Sequence, residues 1–220
     1  MKKKIICFSM AALIFCCSTL SFTTAAHEIG TSGGYRWHDV MYFPTTNSRL
    51  VKVDIWADQS NLGANLWSAY QSATTHWNMN SSSKAHFNEW QSVLSADCVL
   101  GVPSAFSWEH VLQLSHDIVG IAYLYNLASG GICAVFPNPY GTPGGFNSGT
   151  VRRAYIAINP DSSLYNTAHR RDYLIRHEMG HVLGLGHPPD STASIMHRLI
   201  TSPWSTIQNH DRDDLIAFYP

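Results

Sequence analysis

Apolar and polar positions change rhythm several times along this chain, and each change predicts an element. Residues 50–56, Leu50-Val51-Lys52-Val53-Asp54-Ile55-Trp56, alternate with period two and predict a strand. Over residues 61–77 the period lengthens. Leu62, Leu66, Ala69, Tyr70, Ala73 and Trp77 fall on one face of a helix, with Asn61 as its N-cap. Residues 85–93 predict a second strand. Residues 95–108 contain Pro103 and are read as irregular. The apolar, β-branched and aromatic run at 118–126 predicts a buried strand, and Ser129-Gly130-Gly131 turns the chain into a short strand at 132–136. Residues 137–149 are rich in proline and glycine. No Lys-Ser or Lys-Thr follows those glycines, so this is a loop and not a phosphate cradle. Residues 153–159 predict another strand, ended by Pro160. Asn166 or Thr167 then caps a helix that runs to about Leu183, and residues 211–219 predict a final helix. The order is α+β, without repeat or linker.

Composition supports one folded unit. The chain has 220 residues, of which 45% are hydrophobic and 13% charged, which is globular and long enough for a real core. Lys+Arg is 14 and Asp+Glu 15, so no basic bias points to nucleic acid. The first 26 residues read as a secretory signal peptide of bacterial type. Lys2-Lys3-Lys4 is the positive start, residues 5–20 are largely apolar, and Thr24-Ala25-Ala26 is a small-residue cleavage site. The expected location is therefore secreted or periplasmic, with no stable membrane insertion once the leader is removed. Residues 27–34 are a loose lead, and residues 27–220 form a single domain. Loss of the three leader lysines leaves 11 basic against 15 acidic residues. It also removes Cys7, Cys16 and Cys17, leaving Cys98 and Cys133. Two cysteines in an exported chain are most simply joined as a disulfide.

The chemistry concentrates in His177-Glu178-Met179-Gly180-His181-Val182-Leu183-Gly184-Leu185-Gly186-His187. Residues four apart on a helix share a face. His177 and His181 can therefore reach one Zn²⁺ at about 2.0–2.1 Å. Glu178 lies where a carboxylate meets a zinc-bound water. Gly184 allows a left-handed exit that brings His187 round as a third ligand. Three protein ligands leave one position for water, the mark of a catalytic zinc site. The remaining histidines, His110 and His116 among them, lack a metal-ligand spacing and are read as surface or loop residues.

This HExxHxxGxxH pattern, with Ser194-Ile195-Met196-His197 downstream, resembles the metzincin zinc metalloendopeptidases, and the C-terminal Asp213-Asp214-Leu215 leans toward the matrixins among them. The resemblance implies a twisted mixed β-sheet with a backing helix, an active-site helix, a Met-turn and a C-terminal helix. It implies that His177, His181 and His187 hold zinc, that Glu178 is the general base, and that Met196 lies beneath the metal without ligating it. Astacins and serralysins place a tyrosine two residues after that methionine. Here the position is Arg198, so that tyrosine's role is not carried over. The expected partner is an extended protein or peptide substrate along an edge strand, either 133–136 or 153–159, and a monomer is expected. Calcium held by carbonyl oxygens leaves no sequence signature and stays open as a second cofactor. Two other classes stand beside the protease: an exported non-catalytic zinc-binding or adhesive protein on the same fold, and a zinc hydrolase of cell-wall peptides. Glu178 argues against a ligand-only site.

Overall fold

A computed structural model describes residues 36–37, 40–43, 48–82, 84–112, 114–128, 131–135, 150–151, 153–188 and 191–219. The expected signal peptide, the lead at 27–34 and the loop at 137–149 lie outside them. The strands are β1 (Arg36–Trp37), β2 (Val40–Phe43), β3 (Ser48–Ala57), β4 (Ala85–Glu89), β5 (Cys98–Gly101), β6 (Gly120–Ala128), β7 (Gly131–Val135), β8 (Thr150–Val151) and β9 (Arg153–Ile158). The long helices are α1 (Gln59–Asn80), α2 (Ala168–Val182) and α3 (Asn209–Phe218). Among the described residues no helix is long and apolar enough to cross a membrane.

Seven strands form one mixed sheet. Its order runs β2-β3-β5-β9-β6-β7, and β4, off this path, also pairs with β3. β3 pairs parallel with β4 and β5, β5 parallel with β9, and β9 antiparallel with β6. β1 and β8 make a separate parallel pair. Alternation in β3 sends Val51, Val53 and Ile55 into the core, where they share one cluster with Leu62, Leu66, Ala69, Tyr70, Ala73 and Trp77 of α1. These are the six helix positions that the apolar spacing predicts. β6 splits its residues between two layers. Ala122 and Leu124 join the main core, whereas Ile121 and Tyr123 pack with Trp108 and Ala157 in a smaller cluster.

Three expectations are corrected. The start of α1 is set by Asp58, whose side chain accepts from Ser60 N at 2.9 Å. Asn61 instead brackets Val102, accepting from its N–H at 2.7 Å and donating to its carbonyl at 2.9 Å. The stretch read as irregular contains β5, with Cys98 opposite Ala154. Finally, the expected Cys98–Cys133 disulfide does not form. Cys98 is a buried free thiol on β5, and Cys133 lies on β7, opposite Asn126 of β6. β9 and β6 stand between the two strands. Three inter-strand steps separate the backbones by about 14 Å, whereas a disulfide needs Cα atoms about 4.4–6.8 Å apart. Burial also pushes the Cys98 thiol pKa well up, so it stays protonated and inert. The same strand order makes β9 interior. Of the two segments proposed to meet substrate, only the one on β7 borders the described sheet.

Candidate metal centre

α2 begins where Thr167 accepts a hydrogen bond from Arg170 N at 3.2 Å, one of the two caps expected. From Tyr173 to Val182 every residue is buried, including Arg176, His177, Glu178 and His181. Burying polar groups is costly unless each finds a partner. The helix ends in a Schellman arrangement: Leu185 N donates to Gly180 O at 3.1 Å and Gly184 N to His181 O at 2.9 Å. Gly184 has φ 91°, a conformation that a Cβ opposes. That turn redirects the chain and returns His187 to the helix.

The three Nε2 atoms of His177, His181 and His187 form a triangle with every side 3.1 Å. The outer nitrogens fix what those atoms can be. His177 Nδ1 faces Ile195 O at 2.9 Å and His181 Nδ1 faces Leu185 O at 2.8 Å. A carbonyl only accepts, so both Nδ1 atoms carry the proton. Burial lowers the pKa of His177 to about 3 and that of His181 to about 4, so both rings are neutral at ordinary pH. Their Nε2 atoms are then bare lone pairs facing one another at 3.1 Å, which is repulsive unless a cation lies between them. The corners of such a triangle lie about 1.8 Å from its centre, so a single ion can be about 2.0–2.1 Å from all three, the zinc–nitrogen distance. Among the described residues these histidines are the one group that could hold a metal ion.

Glu178 follows the first of these histidines on α2. It is 4% exposed, and burial raises its pKa to about 8. Its Oε2 is buried without a hydrogen-bond partner, which suits an atom that receives a bond from a ligand or its water. Its other oxygen lies against Gly120, the first residue of β6. A Cβ at Gly120 would come within 2.9 Å of Glu178 Oε1 and 2.8 Å of Leu174 Cδ1. That glycine lets the strand approach the carboxylate, and nothing in the sequence around it marks it.

Met196 is buried under α2. A Cβ on Gly180 would lie 2.2 Å from Met196 Sδ and 3.2 Å from Trp77 Cζ2, so Gly180, between the two helical ligands, makes room for the thioether. The turn that carries Met196 is pinned from α3. Asp211 accepts from Ser194 Oγ, from Ile195 N at 3.0 Å and from Gln208 N at 2.7 Å. Ile195 O in turn accepts from His177, so α3 acts on the first ligand through the turn. Outside this site, His110 stacks on exposed Phe106, and His116 is exposed beside Glu109. Neither joins a metal group.

No protein-family model matches the chain, and no curated protein matches it.

Proposed function

We propose that this chain is an exported zinc-dependent endopeptidase of the metzincin type. The observation that carries the reading is the triangle of three Nε2 atoms, two of them on neutral rings, together with a buried carboxylate at the residue after His177, one of whose oxygens lacks a partner. His177, His181 and His187 would hold the metal. A zinc ion held there supplies Lewis acidity and a water of lowered pKa. Glu178 Oε2 accepts the proton of the attacking water and later delivers it to the leaving amine nitrogen. Burial alone favours the protonated carboxyl, and the positive charge of a metal held by the three histidines would lower that pKa, so that Glu178 starts as the carboxylate able to accept. Met196 packs closely against Gly180 beneath the site. The resemblance in the HExxHxxGxxH segment supports the choice of peptide bonds as substrate.

Purified protein should hydrolyse casein, lose that activity to a zinc chelator and regain it with added Zn²⁺. Glu178→Ala should keep the metal and lose about 10²–10⁴-fold in turnover. A protein that binds zinc tightly yet leaves casein intact, or a Glu178→Ala variant retaining more than a tenth of the activity, would sink the reading.

A further inference from the structure

His177 is held differently from His181. Among the described residues the Nδ1–H of His181 has one acceptor, Leu185 O at 2.8 Å. The Nδ1–H of His177 faces two oxygens, Ile195 O at 2.9 Å and the Tyr173 hydroxyl at 3.3 Å. Tyr173 lies one helical turn before His177, and the two rings stack with centroids 5.3 Å apart and planes 30° apart. The hydroxyl has an anchor of its own, since it donates to His197 O. Its hydrogen is thereby committed to the carbonyl, and an oxygen lone pair is left toward His177. The two contacts on His177 thus lead to carbonyls of the same turn, Ile195 directly and His197 through the tyrosine.

We propose that Tyr173 is a positioning residue for the metal centre: its hydroxyl, fixed on the His197 carbonyl, holds the His177 ring with Nε2 on the metal. Tyr173 lies outside the histidine motif. The proposal rests on the metal-binding part of the proposed function and not on peptide hydrolysis. A partner on the outer nitrogen of a histidine ligand sets its tautomer, orientation and basicity, and its loss costs about 10–100-fold in metal affinity.

Tyr173→Phe keeps the ring, its stack and most of the packing, and deletes the hydroxyl. With zinc measured by chelator competition, the variant should bind about 10-fold more weakly, the lower end of that range, because Ile195 O remains. Two readouts separate positioning from simple packing. The visible spectrum of the Co²⁺-loaded protein should shift, and the gain in melting temperature on adding Zn²⁺ should shrink. A purely structural tyrosine would lower the melting temperature with and without metal equally. If the variant fails to fold, the zinc-loaded wild type still decides. Its His177 Nδ1–H proton should show a through-space NMR contact to the Tyr173 ring. Zinc affinity within twofold of wild type with an unchanged Co²⁺ spectrum, or no such NMR contact, overturns the proposal. Failure of casein hydrolysis in a wild type that binds zinc would remove the protease reading and leave this result standing.

Discussion

α1 and α2 pack against each other on one side of the sheet, and they bury opposite kinds of surface. α1 inserts six apolar or aromatic side chains, and beside them the Tyr70 hydroxyl and Thr74 Oγ1 are buried without a hydrogen-bond partner. α2 buries ten consecutive residues, among them Arg176, His177, Glu178 and His181. Trp77 joins the two, donating from Nε1 to Arg176 O at 3.1 Å. Arg176 meets Ser72 Oγ at 2.8 Å and the carbonyl of Ser205. The contrast separates a helix that buries mainly apolar surface from one whose buried histidines, together with His187, could hold a metal ion.

That contrast breaks most readily on metal dependence. At a free zinc concentration 1,000 times Kd, the metal should add about 4 kcal/mol to unfolding free energy. Denaturant titration with and without chelator measures it. His187→Ala should abolish most of that increment, because two protein ligands are too few. Equal stability in both conditions would show that α2 buries its histidines without metal.

Leu66→Ala on α1 sharpens the other side of the comparison. It should cost about 2–5 kcal/mol, and by the same amount with and without zinc. A cost that depends on zinc would mean that the two helices are not separate in this sense.

Met196 lies between the two regimes. Met196→Ala should cost about 2–5 kcal/mol and weaken zinc binding as the cavity opens beneath Gly180. Met196→Leu should cost under about 1.5 kcal/mol, with zinc retained. Indistinguishable melting curves for the two variants would contradict the close packing of Sδ on Gly180. The smallest expected effect is at the helix start, where Thr167→Ala should cost about 1 kcal/mol with no change in zinc affinity.

The same division explains what could be read from the sequence. β3 and the part of α1 that follows the kink at Gly63 are long and half-buried, so period two and period 3.6 reveal them. The histidine triangle is legible because helix geometry converts spacing into proximity. β5 is not legible, since four residues carry no reliable period, and only its place between β3 and β9 makes them a strand. The pairing of Cys98 with Cys133 fails for a related reason: counting cysteines says nothing of the two strands that the topology inserts between them. Tyr173, Gly120 and Asp211 act through contacts across the fold. Asp211 lies in a predicted helix, yet no local pattern ties it to a turn sixteen residues earlier.

Asp211 also sets an order of assembly. The carboxylate that fixes Ser194 and Ile195 belongs to the first turn of α3, after all three histidines in the chain. A nascent chain emerging from the ribosome, or threading an export channel from its N-terminus, exposes His177, His181 and His187 before the group that steadies them. Such a chain can offer histidines to a passing metal but not a finished coordination cage. On the proposed function, tight metal loading and hydrolytic activity would wait until residues 208–211 have folded back.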